Sequence, residues 1–194
     1  MQNTDASIVK SILAGDRSAY AELVDRHKDR AMTLAFRLLR NREDAEEAIQ
    51  DAFVRAFKAL PRFEWKSSFS TWLYRIVYNV CVTRLGRKGE ALVQSLEEGI
   101  DETLDVPSET LPPDLEYESA EFVKIVEQEI ESLPLLYGSV CTLFFLSELS
   151  YDQIVEVTGL PLGTVKVRLF RGRQILRDAV AKRLNILRVP IASS

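Results

Sequence analysis

The sequence predicts an all-α protein: two small helical domains joined by an acidic flexible linker, the second of them ending in a helix-turn-helix. Three observations carry this. Apolar residues recur at the 3.6-residue helical period through both ends of the chain. A stretch around residues 90–114 loses that period, gains Pro107, Pro112 and Pro113 and is dominated by acidic side chains. Near the C-terminus, SYDQIVEVTGLPLGTVKVRLFRGRQILRDAV reads as a short helix, a glycine turn and a longer basic helix. The expected domains are therefore 1–89 and 115–194, with 90–114 as the linker.

Local signals set the elements in order. Thr4 or Asp5 can cap a short helix that stops at Gly15. Asp16 can cap a long one through about Leu39, with Asn41 as its stop. A third helix runs from about Arg42 to Leu60, where Pro61 ends it. An irregular segment from Arg62 to Ser68 precedes a fourth helix from Phe69 into Arg87. After the linker, helical pattern returns near Leu115 and continues through Ser132. A further helix spans about Pro134 to Leu146, followed by a short one at Tyr151–Thr158 and the long final helix. Ser150 and Gln153 form an S-x-x-Q capping box, which pins the start of the short helix.

The net charge of −4 over 194 residues conceals an uneven distribution. Residues 1–89 carry a net +5, residues 90–131 a net −13 and residues 132–194 a net +4. Screening confines each field to about 8–10 Å, so the two basic ends can approach an anionic partner despite the total. The apolar runs are too short to span a bilayer, and the N-terminus lacks an export pattern, so a cytoplasmic protein without direct membrane insertion is expected. Cys81 and Cys141 each fall inside an apolar helical stretch and read as buried free thiols. With His27 as the sole histidine, no metal site is expected, and no cofactor.

Three surfaces stand out. On the last helix Val165, Leu169, Leu176 and Val180 share one face, the core side, which leaves Val167, Phe170, Arg171 and Gln174 opposite. Lys166, Arg168 and Arg173 lie on the flanks, where long basic side chains reach phosphates while the opposite face addresses base edges. Gly163 and Thr164 at its start suit close backbone approach to a phosphate. The third helix buries Ala45, Ala48, Ile49, Ala52, Phe53, Ala56 and Phe57. It turns Asp44, Glu47, Asp51, Val54, Arg55 and Lys58 outward, a mixed charged face that suits either solvent or a protein partner. The fourth helix buries Leu73, Ile76, Val77 and Val80 and leaves Thr71, Arg75, Tyr78, Asn79 and Val82 outward, with Trp72 and Tyr74 on the flanks. The preceding loop, Glu64-Trp65-Lys66-Ser67-Ser68-Phe69, combines aromatic ends with a lysine, a composition suited to holding an unstacked base. Duplex reading at one end and single-strand handling at the other point to transcription initiation.

These residues carry a family resemblance. DAEEAIQDAFVRAFKAL, followed by F-x(5)-FSTWLYRIVYN, resembles the second region of sigma factors of the extracytoplasmic-function (ECF) group. LSYDQIVEVTGLPLGTVKVRLFRGR resembles their fourth region. The resemblance covers both domains, and the order and spacing of the motifs make it specific. It implies that Asp44, Glu47, Asp51, Val54 and Arg55 dock on the clamp helices of core RNA polymerase. It also implies that Lys66, Ser67, Ser68, Phe69, Trp72, Arg75, Tyr78 and Asn79 capture the minus-ten non-template strand. Gly163, Thr164, Lys166, Val167, Phe170, Arg171 and Gln174 would read minus-thirty-five promoter DNA. The acidic linker would run through the polymerase channel, and an anti-sigma factor would supply regulation. One departure stands out: where many members carry serine after T-V-[KR], this chain has Val167, so the upstream sequence preference cannot be transferred from relatives.

A stand-alone helix-turn-helix regulator with a ligand-binding or dimerising N-terminal domain is the alternative, but it leaves WKSSFSTWLYRIVYN unexplained. An enzyme is not expected, nor a small-molecule substrate. There is no glycine-rich phosphate loop and no nucleophile paired with a base.

Overall fold

The computed structural model describes residues 4–88 and 120–187. The segment expected as a linker, the boundaries set around it and the helix start near Leu115 lie outside the described residues. Four helices make the first unit: α1 (Asp5–Leu13), α2 (Tyr20–Leu39), α3 (Arg42–Ala59) and α4 (Phe69–Lys88). Four more make the second: α5 (Ala120–Ser132), α6 (Leu135–Cys141), α7 (Tyr151–Thr158) and α8 (Leu162–Leu187). Among the described residues there is no strand. The protein is all-α and built from two helical units.

Thr4 caps α1 through its side chain, accepting from Ser7 N–H. Asp16 caps a 3₁₀ turn, Arg17–Ala19, that leads into α2 rather than capping α2 itself. Asn41 does not stop α2. Its side chain accepts from Asp44 N–H at 2.9 Å and starts α3, while Arg40, in the left-handed region at φ 50°, ends α2. The short amide suits an N-cap, because it must reach the N–H groups that the first helical turn leaves unpaired. In the second unit the Ser150–Gln153 capping box forms in both directions. Gly159 then turns the chain at φ 74°, a conformation glycine adopts without Cβ strain.

Alanines set the first unit's geometry. Ala45, Ala48, Ala52 and Ala56 are wholly buried along α3, so its backbone lies close to α2 and α4. Leu23, Leu34 and Leu38 of α2 fill the space between, each contributing about 1.5–3 kcal/mol by burial. In the second unit α8 crosses α6 at Gly172, where a Cβ would overlap the Cys141 sulfur. Past α6 the chain continues as one π-helical turn, Thr142–Leu146.

The two units pack against each other, α4 on α7 and α2 on α6, and the buried apolar cluster runs through both. Arg37 holds this seam. Although it sits on the apolar side of α2, its guanidinium donates to Glu131 O at 2.5 Å, to Leu133 O and to Pro134 O at 3.2 Å. These carbonyls belong to the end of α5 and the turn after it, the oxygens a helix C-terminus leaves without partners. Arg40 adds a bond to Leu133 O at 2.9 Å. Burial lowers the Arg37 pKa to about 10, still high enough to keep it a cationic donor at neutral pH.

Candidate nucleic-acid interface

The outward face of α3 is open. Val54 is 50% exposed, Glu47 and Arg55 are exposed, and Asp44 and Asp51 are half-buried. Asp51 and Arg55 form a two-pronged ion pair at 2.8 and 2.9 Å, one helical turn apart. Hydrogen bonding from Arg55 lowers the Asp51 pKa, and the same bond raises that of Arg55. Arg84 of α4 reaches Glu47 at 3.0 Å.

The loop before α4 departs from the expected pocket. Phe69 is buried at 3% exposure and packs among Phe63, Trp72 and His27, with ring centroids 5.5 to 6.3 Å apart. It is a wall of the core, because an aromatic at the start of α4 falls against His27 of α2 and the Phe63 and Trp72 rings. His27 is fixed there by Asp5, with Nε2 2.7 Å from Oδ2. Ser68 caps α4: its Oγ accepts from Thr71 N–H at 3.1 Å. Ser67 is half-buried, and exposed Lys66 pairs with Glu64. Trp65, the other aromatic end of the loop, is 44% exposed at φ 58° and leans on Phe63 with centroids 4.9 Å apart.

On α4, Arg75 and Asn79 face outward as expected and Trp72 is half-buried. Thr71 and Tyr78, also expected outward, are 0% and 5% exposed, and Tyr74 is buried with them. The covering element is α7, whose Gln153 donates to Thr71 Oγ1 at 3.0 Å. The apolar residues of α4 are spread around the helix rather than gathered on one side, the signal that two faces are covered.

The final helix shows the same departure. Val165, Leu169, Leu176 and Val180 form its core side, and Gly163, Lys166 and Gln174 are exposed, all as expected. Phe170 and Arg171 are half-buried, with Arg171 Nη1 3.5 Å from the Tyr137 hydroxyl. Thr164 and Val167 are buried, which overturns the outward placement of Val167 and takes the Thr164 side chain out of reach of a phosphate. Arg168, expected on a solvent flank, is 0% exposed. Burial lowers its pKa, while the Tyr78 and Tyr137 hydroxyls act in the opposite direction. Arg173 stacks on Phe144 and Phe145, 4.7 and 5.3 Å from the ring centroids, instead of extending to solvent. Among the described residues there is no cluster of side chains that could hold a metal ion, and no helix is long and apolar enough to cross a membrane.

Comparison with known proteins matches this arrangement. Residues 23–90 fit the Sigma-70 region 2 family and residues 124–176 the Sigma-70 region 4 family. The chain is 35% identical over 173 residues to the ECF RNA polymerase sigma factor SigW of Bacillus subtilis, covering 87% of this chain and 92% of that protein. It is 33% identical over 183 residues to the ECF RNA polymerase sigma-E factor of Escherichia coli K12, covering 92% and 95%. Among solved structures the fold is similar to CnrH in complex with the cytosolic domain of CnrY (TM-score 0.57, 20% identity, 90% of this chain and 96% of that chain). It is also similar to the sigma factor RpoE of Bartonella quintana in complex with the anti-sigma factor NepR (TM-score 0.60, 20% identity, 84% and 96%). With both regions present in order on an all-helical chain, the protein belongs to the ECF RNA polymerase sigma factors.

Proposed function

We propose that this chain confers promoter specificity on core RNA polymerase in the cytoplasm, acting by binding rather than by catalysis. The observation that carries the reading is the presence, in one chain, of three separate surfaces. They are the open charged face of α3, the aromatic loop leading into α4, and the α7–α8 helix-turn-helix. Region assignments follow the expected boundaries, 1–89 and 115–194, with 90–114 between them.

In this reading Asp44, Glu47, Asp51, Val54 and Arg55 dock on polymerase. Lys66, Trp72, Arg75 and Asn79 handle the unpaired minus-ten strand. The stacking surface falls to Trp65 and half-buried Trp72, because Phe69 is committed to the core. Lys166, Phe170, Arg171 and Gln174 address the minus-thirty-five duplex, with Gly163 allowing close backbone approach. Both similar solved structures hold a bound second protein, in one case named as an anti-sigma factor, which supports an anti-sigma factor as the regulator here.

In vitro transcription with purified core polymerase on genomic DNA, followed by start-site mapping, tests the reading. Discrete start sites that depend on the chain and share an upstream motif are expected. Polymerase that initiates no differently with and without the chain would overturn it.

A further inference from the structure

The first helix, α1, supplies none of the surfaces proposed above, yet it borders one of them. It packs through Ile8, Val9 and Ile12 into the core of the first unit and touches the 3₁₀ turn Leu60–Arg62, from which the aromatic loop departs. Asp5 fixes its start. The carboxylate Oδ2 lies 2.7 Å from His27 Nε2, and Oδ1 accepts from Arg26 Nη1 at 3.3 Å. His27 packs in turn on Phe69, so this end of α1 is tied to the base of α4. In the last turn of α1, exposed Lys10 holds its Nζ 6.0 Å from the centre of the Trp65 ring. Phe63 backs that ring, and the positive φ of Trp65 is a conformation that a bulky residue keeps only where its neighbours fix it. Lys66, the loop's own lysine, is paired with Glu64, whereas Lys10 has no ion-pair partner among the described residues.

We propose that Lys10 is a further residue of the minus-ten site: one nucleotide of the unpaired strand lays its base on Trp65 and sets its phosphate against the Lys10 ammonium. The proposal rests on the strand-handling reading of this loop given above. A separation of 6.0 Å is the outer limit of attraction between an ammonium and an aromatic face, so the ring keeps Lys10 near without holding it tightly. The four-carbon stem lets the charge swing aside as a base arrives. In a nucleotide the phosphate stands one sugar away from the base, so stacking and charge pairing can be met together. The C-terminal end of α1 carries partial negative charge on its unpaired carbonyls, which would repel a phosphate, and a lysine in the last turn reverses the sign there. The two contacts do different work. Stacking accepts any base, whereas a phosphate contact fixes the register of the strand. Asp5 acts as a positioning residue, because it holds the helix that presents Lys10.

The test uses the full chain bound to core polymerase. Its probe is a fluorescent single-stranded oligonucleotide carrying the minus-ten sequence of a promoter mapped as above. Lys10 is exposed and glutamine is a comparable helix former, so Lys10→Gln should leave the thermal melt unchanged. Loss of one phosphate contact should reduce the slope of log affinity against log salt by about 0.7, so that the affinity lost between about 50 and 200 mM salt shrinks roughly 2.6-fold. Lys10→Arg should restore the slope. If both groups hold one nucleotide, Lys10→Gln should cost less in a Trp65→Gly background than in the wild-type chain. An unchanged salt slope in Lys10→Gln, or full additivity with Trp65→Gly, overturns the proposal. Asn79→Ala separates this from failure of the reading beneath it. If Trp65→Gly and Asn79→Ala both bind the oligonucleotide as the wild-type chain does, the strand-handling reading falls and takes the Lys10 site with it. If they bind more weakly while Lys10→Gln keeps its slope, only the Lys10 site falls.

Discussion

The α3 face and the α4–α8 faces carry comparable chemistry, charged side chains interspersed with apolar ones, yet the protein treats them in opposite ways. On α3 a single stripe of alanines and phenylalanines goes inward and everything opposite stays accessible, with Val54 half exposed. On α4 and α8 a second face is also covered, so that Thr71, Tyr78, Val167 and Arg168 are buried along with the intended core. Outward placement on a helix is thus a statement about one face of one unit: on α4 the second unit takes over a face that the first leaves free, and on α8 the second face packs within its own unit.

The largest effect that would break this comparison is at Phe69. Because it is walled in by Phe63, Trp72 and His27, Phe69→Ala should cost about 3–5 kcal/mol of stability, as large-to-small changes of a buried phenylalanine do. A thermal melt measures this. A stable variant that is slow only in promoter opening would return Phe69 to the DNA surface.

Trp65 is the exposed exception in the same loop, and Trp65→Gly separates its two properties. Removing a bulky left-handed residue relieves about 1–2 kcal/mol of backbone strain, so the fold should hold or gain stability. Loss of a stacked base would cost about 1–3 kcal/mol in open-complex formation. Opening on fully duplex promoters should slow more than on templates mismatched through the minus-ten element. Equal slowing on both would show that the ring only packs on Phe63.

On the open face, Asp51→Lys combined with Arg55→Glu exchanges the two charges and keeps an ion pair one turn apart. Exposed pairs of this kind are worth about 0.3–0.5 kcal/mol, so stability should change little. Affinity for core polymerase should nonetheless fall about tenfold or more. Unchanged affinity in a binding titration would return this face to solvent.

The smallest effect concerns Cys81 and Cys141, one buried in each unit. Burial pushes both thiols up to about 12. A thiol whose pKa is higher folded than unfolded favours the native state below the unfolded value, near 9, and this contribution is lost as pH rises from there toward 12. Alkylation at pH 8 should therefore be slow until denaturant is added. Rapid labelling of the native chain without denaturant would show that the helices around these sulfurs open readily.

Much of this molecule was determined by the sequence alone, because the decisive interactions span three or four residues. The Thr4 cap, the Ser150–Gln153 box, the Gly159 turn and the two faces of α3 all follow from local hydrogen bonding and a 100° helical step. So did the family, whose motifs lie on those same elements. Tertiary structure decided the rest. Periodicity assigns one core face to a helix and is silent about a second, and the groups that cover the second face of α4 come from 82 positions away in the chain, as Gln153 does on Thr71. Nor could it show that Arg37, an arginine within the apolar stripe of α2, would find its partners at Glu131, Leu133 and Pro134. Burial of a charged group becomes tolerable only where the fold brings unpaired carbonyls to meet it, and that meeting is a property of the assembled molecule.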